Sequence, residues 1–87
     1  MENIQISVPE YDDCLEIVWE NNAKVSVRDD CDSLLIEANR EGLIAIARQL
    51  LMLAQEEVPE GSHLHLASYN FLEDNSAELT LSKREKF

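Results

Sequence analysis

The chain has 87 residues, 45% of them hydrophobic, and its 18 acidic and 7 basic side chains give a formal net charge of -11. This length predicts a single domain over residues 1–87, because two independent cores would each be too small to fold without metals or disulfides. The composition argues against a disordered chain, and the negative charge argues against nucleic acid and anionic membrane surfaces as ligands.

Neither export nor membrane insertion is indicated by the sequence. The N-terminus MENIQISVPE is acidic and lacks the basic and apolar blocks of a secretory signal. The longest apolar stretch, Gly42 to Ala54, is too short for a membrane span. We therefore expect a cytoplasmic protein, and the cytoplasm keeps Cys14 and Cys31 reduced. These cysteines have no CxxC or Cys/His spacing, so we interpret them as small apolar side chains that fill space.

Alternating apolar and polar residues predict strands in the first half of the chain. Residues 4–8 fit a short edge strand, and residues 15–20 (LEIVWE) have the period of a half-buried strand. Asn21 and Asn22 are typical turn residues, so the second of these strands is expected to form an antiparallel hairpin with residues 24–28 (KVSVR).

A third strand, SLLIEA, follows a loop that contains Asp29, Asp30 and Asp32. It ends at Asn39, a favourable N-cap for a helix that we expect to run to about Glu57.

Apolar residues of this helix recur at spacings of three and four, which predicts one buried face. That face consists of Leu43, Ile46, Ala47, Leu50, Leu53 and Ala54. The opposite, exposed face consists of Glu41, Ala45, Arg48, Met52 and Gln55.

Pro59 and Gly61 end the helix, and the segments SHLHL and SAELTLS then predict a C-terminal β-hairpin. The predicted fold is therefore α+β, with an antiparallel sheet of four to five strands and one long helix packed on one face. We expect Trp19, Leu50 and Leu64 to be buried between the helix and the sheet.

One helix covers only one face of such a sheet, so the other face is left open. By alternation, the open face combines acids, two histidines and a few apolar side chains, which suits either a binding interface or an ordinary solvated surface. The acids of the loop, Asp29, Asp30 and Asp32, form an alternative contact site. The candidate partner-binding residues on the open face are Glu16, Glu20, Glu37, His63, His65 and Glu78.

No catalytic or cofactor motif is present in the sequence. His63 and His65 share a strand face, but a stable zinc site needs at least three protein ligands. Cys14 and Cys31 have no spacing that predicts a neighbouring histidine, and the chain lacks a glycine-rich phosphate loop. We therefore predict no metal, no cofactor and no enzymatic activity, and the negative charge favours a basic protein partner.

Three segments between Glu41 and Lys83 resemble one protein family: the helix GLIAIARQLLMLAQ, the motif VPEGSHLHL and the hairpin segment SAELTLSK. They are similar to the immunity protein family 32 of bacterial polymorphic-toxin systems, and VPEGSHLHL is the most distinctive of the three. The resemblance implies a small cytoplasmic protein that binds and neutralises a cognate toxin, and it supplies no catalytic residues. One alternative is a homo-oligomeric structural or regulatory module with no toxin partner, such as a homodimer through the open sheet face. The other is an enzyme subunit or small hydrolase, which would need a cleft that so thin a domain can hardly form.

Overall fold

The computed structural model describes residues 1–18 and 20–87. Within these residues the secondary structure consists of two β-hairpins and a helix. In chain order the elements are β1 (Val25–Asp30), β2 (Ser33–Ala38), α1 (Arg40–Ala54), β3 (His63–Leu66) and β4 (Leu79–Ser82). No helix in this part of the chain is long and apolar enough to cross a membrane.

The predicted α+β class is confirmed, but the predicted single sheet of four to five strands is wrong. β1 pairs antiparallel with β2, and β3 pairs antiparallel with β4, as two separate sheets. The backbone N–H groups of Glu73 and Ala77 donate to the carbonyls of Val25 (2.7 Å) and Val27 (2.8 Å) and so link the two sheets. Between them, the Val27 N–H donates to the Ser76 hydroxyl (3.2 Å) rather than to a carbonyl, so no continuous ladder forms.

The strands predicted at residues 4–8 and 15–20 are also wrong, because the described residues before β1 are irregular. Asn21 and Asn22 do turn the chain, but the hairpin lies further along, between β1 and β2. Its two-residue turn places Cys31 at a φ of 57°, in the left-handed region. Cys14 and Cys31 are both free and exposed, so the expectation that they act as small apolar filling side chains is wrong as well.

The N-terminal segment, which we define as residues 1–18 and 20–24, is held by the side chains of Gln49 in α1 and of Gln55, the residue that follows α1. Gln49 Nε2 donates to the Val18 carbonyl (3.0 Å), and the Val18 N–H donates to Gln49 Oε1 (3.4 Å). Gln55 repeats this arrangement, donating to the Pro9 carbonyl (3.0 Å) and accepting from the Tyr11 N–H (3.2 Å). The amides thus satisfy backbone groups that would otherwise need a neighbouring strand.

Because the N-terminal segment lies against this flank of α1, the buried face of the helix differs from the predicted one. Ala45 and Met52, expected to be exposed, are buried at 0% and 3% relative exposure. Leu43 and Leu50, expected in the core, are 56% and 49% exposed. The predicted face was wrong because apolar periodicity does not show that the flank of α1 with Gln49 is covered by the N-terminal segment through hydrogen bonds.

The predicted burial of Leu50 is therefore wrong, whereas that of Leu64, at 4% exposure, is confirmed. The prediction for Trp19 falls outside the described residues. Leu15 and Ile17 pack against the core, as their alternation predicts, although they do so without forming a strand.

The core lies between α1, the inward face of β1 and the inward face of the second hairpin. One cluster of buried side chains joins β1, α1, β3 and the loop after β3, and a second joins α1, its C-terminal loop and β3. The first consists of Ala23, Val25, Val27, Ala45, Leu66, Phe71 and Leu72, and the second of Leu53, Val58 and Leu64.

Both ends of α1 are stabilised by side chains that do not belong to the helix itself. Asn39 is the N-cap, as predicted, and its Oδ1 accepts from the backbone N–H of Gly42 (2.8 Å). At the other end, where α1 stops at Ala54 rather than near Glu57, Lys83 Nζ donates to the carbonyls of Gln55 (2.6 Å) and Val58 (2.9 Å). A cation at a helix C-terminus also interacts favourably with the helix dipole.

Candidate partner-binding surface

The outward face of the β3–β4 hairpin presents a polar cluster around His65. In the strand register His65 faces Thr80, and its Nδ1 lies 3.1 Å from Thr80 Oγ1. Its Nε2 lies 3.0 Å from Glu78 Oε1. Glu78 is the residue before β4 and shares the outward face with Thr80, so period-two alternation brings it beside His65, as the sequence predicts.

His63 lies on the same face but outside this cluster. Its Nδ1 is 3.2 Å from the carbonyl of Gly61, in the loop that precedes β3. Within the part of the chain that the structure describes, no group of three His, Cys, Asp or Glu side chains is placed to hold a metal ion. The polar side chains on the outward face of the β3–β4 hairpin are suited to hydrogen bonds and ion pairs.

On the outward face of the β1–β2 hairpin, Arg28 NH2 lies 3.3 Å from Glu37 Oε1. The two side chains are 68% and 55% exposed, so this ion pair contributes at most about 1 kcal/mol to stability. Both charges therefore remain available to a partner at little cost.

The remaining two candidates lie in the N-terminal segment and differ from each other. Glu16 is exposed. Glu20, expected on the open sheet face, instead lies against α1, where its Oε1 is 2.9 Å from Arg48 NH2. The two side chains of this pair are only 27% and 16% exposed. Glu20 leaves the sheet face because the N-terminal segment is not a strand of the sheet.

The loop acids lie at the tip of the first hairpin. Asp29 and Asp30 end β1, Asp32 belongs to the turn, and all three are exposed. Ser33 alone separates Asp32 from Leu34 on β2, so a strongly acidic tip lies close to an apolar strand.

Sequence reasoning missed an exposed apolar surface on β2 and α1. We define the apolar surface as Leu34, Ile36, Leu43, Leu50 and Ala54, all of which are exposed. The signal in the sequence is the run Leu34, Leu35 and Ile36, which does not alternate with polar residues as a half-buried strand does.

The motif VPEGSHLHL has a clear structural role in this fold. Val58, Leu64 and Leu66 are buried in the core, at 2%, 4% and 0% exposure. Gly61 has a φ of 90°, a conformation that side-chain-bearing residues rarely adopt. The motif thus sets the path of the chain from α1 into β3.

Comparison with known protein families matches residues 33–84 to the family described as immunity protein 32. The matched region begins at the first residue of β2 and includes α1, β3 and β4. Neither a curated protein nor a solved structure matches the chain.

Proposed function

Because the chain belongs to the immunity protein 32 family, we propose that it binds a cognate toxin domain and neutralises it. The observation that carries this proposal is the family match, which spans more than half of the chain and includes β2, the helix and the second hairpin. The polar groups on the outward faces are suited to binding a protein surface, and we propose that the chain acts by binding rather than by catalysis.

We propose that the toxin carries a basic surface. A chain with a net charge of -11 attracts such a surface over a long range and accelerates encounter. Exposed acids that face solvent on both hairpins support this proposal, because a partner can reach them without breaking the core.

The proposed charged contacts follow from the same faces. Among them Glu20 is the least available, because a partner would have to compete with Arg48 for its carboxylate. The proposed partner-binding residues are Glu16, Glu20, Glu37, His63, His65 and Glu78.

We also propose that binding takes place in the cytoplasm. Cys14 and Cys31 are free and exposed, a state that a reducing compartment preserves.

Co-expression with the toxin encoded beside this gene tests the proposal. The wild-type chain should restore growth of cells that express the toxin. A variant with Glu16→Lys, Glu37→Lys and Glu78→Lys should protect less well, because it repels a basic partner locally.

The matched control reverses three exposed acids elsewhere, with Glu10→Lys, Glu56→Lys and Glu57→Lys, and so changes the net charge equally. It should protect better than the first variant. If a folded outward-face variant protects as well as the wild type, the proposed charged contacts are wrong. If the wild type gives no protection, the immunity function itself is wrong.

A further inference from the structure

We propose that an extended segment of the cognate toxin adds as a new strand to the free edge of β2 and packs its side chains against the apolar surface. This inference rests on the proposed function, because it names the contact through which the toxin is held. Strand addition of this kind combines backbone hydrogen bonds with side-chain packing.

The hydrogen-bond pattern of the first hairpin shows which backbone groups of β2 face outward. The Asn39 N–H donates to the Lys24 carbonyl (3.1 Å), so these two residues form a hydrogen-bonded pair next to the ladder. Bonded and non-bonded pairs alternate along an antiparallel ladder. The N–H and C=O groups of Leu34 and Ile36 therefore point away from β1, toward the free edge.

On β1 and β3, outward-facing backbone groups already have hydrogen-bond partners. The second edge of β1 accepts hydrogen bonds from segment 73–77, and the His65 carbonyl on β3 accepts one from Asn70 Nδ2 (2.9 Å). Across residues 1–18 and 20–87, no hydrogen bond reaches the outward backbone groups of Leu34 or Ile36. An uncovered edge with apolar side chains is a ready template for another strand.

The side chains of this edge are also unusually exposed for their position. Leu34 and Ile36 lie on the same face of the hairpin as Val27, which is 0% exposed, yet they are 53% and 40% exposed. The core therefore stops at β1 and leaves the inward face of β2 uncovered. A strand added beside β2 would extend this face.

The exposed stripe of α1 adjoins the same region. Leu43 and Leu50 flank Ile46 at helical spacings of three and four, and Ile46 and Ala38 both pack against the core cluster that contains Val27. The inward face of β2 and the stripe of α1 thus border the same core cluster, through Ala38 and Ile46 respectively. The inward side chains of an added strand would therefore meet α1.

This stripe continues into an open groove at the end of the helix. The groove has a volume of about 440 Å³ and is lined in part by Leu50, Ala54, Leu81 and Phe87. It offers further apolar surface to a segment that follows the added strand.

Charge identifies the toxin, rather than a second copy of this chain, as the occupant. The tip acids Asp29, Asp30 and Asp32 are exposed beside the start of β2 and would attract basic residues that flank an apolar strand. A second copy carries the same net charge of -11 and is repelled. The expected toxin segment therefore alternates apolar side chains and carries Lys or Arg at the end that meets the tip.

The first test compares Ile36→Lys with Ile4→Lys for binding to the purified, catalytically inactivated toxin domain encoded beside the gene. Both positions are exposed isoleucines, at 40% and 51%, and both changes alter the net charge equally. Ile36→Lys should raise the Kd at least about tenfold, mainly through faster dissociation, because an edge lysine opposes strand addition. Ile4→Lys should leave the Kd within about twofold, as expected for a position outside the contact.

The second test uses the wild-type chain and hydrogen exchange. The backbone amides of Leu34 and Ile36 should exchange at least about tenfold more slowly in the toxin complex than in the free protein, because they gain strand partners. The proposal requires both results. It is overturned if the toxin binds while either the Ile36→Lys effect or the amide protection is missing, and the immunity function then still stands.

Two other experimental results would also overturn the proposal. If the wild-type chain does not bind the toxin domain, the proposed function fails and this contact fails with it. If sedimentation shows that the free wild-type chain is a dimer that Ile36→Lys makes monomeric, the edge is occupied by a second copy.

Discussion

The side-chain amide of Gln49 forms two hydrogen bonds with the backbone of Val18, donating to its carbonyl and accepting from its N–H. Gln49 is a polar residue with 0% exposure, and it occupies the flank of α1 that faces the N-terminal segment. The segment therefore depends on side-chain amides for partners that a β-sheet would supply through its backbone.

This relationship predicts that Gln49→Met lowers the free energy of unfolding by about 1 to 3 kcal/mol, because Val18 keeps its backbone groups but loses their partners. Methionine preserves much of the side-chain volume, so the loss reports mainly the hydrogen bonds. Urea unfolding measures the effect. Gln5→Met, at an exposed position, is the matched control and should change stability by less than about 0.5 kcal/mol. Equal effects of the two changes would show that the Gln49 bonds contribute nothing.

The exposed stripe of α1 predicts a contrast between two leucines. Leu66→Ala should destabilise the protein by about 2 to 5 kcal/mol, because Leu66 is 0% exposed in the core. Leu50→Ala should cost less than about 1 kcal/mol, because half of Leu50 is already in solvent. Thermal or urea unfolding measures both. A loss at Leu50 as large as that at Leu66 would contradict the orientation of the helix.

The close packing around Gly42 predicts that Gly42→Ala lowers stability, whereas helix propensity predicts that it raises stability. A Cβ atom at this position would collide with the backbone carbonyl of Lys24 and approach the Cβ of Ala38 to 3.0 Å. Gly42→Ala should therefore destabilise the protein by about 1 to 3 kcal/mol. Helix propensity alone predicts a gain of about 1 kcal/mol. A measured gain would mean that α1 does not pack closely on the start of β1.

The sequence predicted the elements that local signals determine. Strands β1 and β2 follow from alternation and composition, Asn39 follows from N-cap chemistry, and the turn at Gly61 follows from its freedom to adopt a positive φ. These signals act over a few residues, so they can be read without knowledge of the rest of the fold.

Long-range hydrogen bonds account for what the sequence did not predict. Residues 15–18 alternate like a strand, but the backbone of Val18 pairs with the side-chain amide of Gln49 rather than with a neighbouring strand. The Ser76 hydroxyl occupies the Val27 N–H, so the two hairpins do not merge into one sheet. In each case a polar side chain takes the place of a backbone partner. The alternation of apolar and polar residues in the sequence does not show this substitution.

The candidate site likewise contains features that local sequence signals predict and features that they do not. The juxtaposition of His65 and Glu78 follows from the two-residue period of a strand, and it could be predicted. The exposure of Leu43 and Leu50 could not, because an apolar stripe on a helix normally indicates the core. The uncovered stripe is part of the contact that we propose for the toxin segment, since exposed apolar patches often mark interaction sites.

Charge complementarity predicts that salt weakens association with the toxin. Raising the ionic strength from about 0.05 M to about 0.5 M shortens the screening length severalfold and should slow association at least about tenfold. Dissociation should change much less, because it depends on short-range contacts. Interferometry with the inactivated toxin domain separates the two rates. An association rate that is independent of salt would contradict the basic surface proposed for the toxin.

Titration of the toxin with this chain tests the central claim most directly. Purified active toxin is mixed with increasing amounts of the protein, and the residual toxin activity is measured at each molar ratio. Neutralisation by binding predicts that activity falls linearly and is lost at equal molar amounts, provided that the toxin concentration is well above the Kd. Toxin activity that persists in the presence of excess protein would contradict the immunity function, and complete loss at far lower amounts of protein would contradict neutralisation by binding.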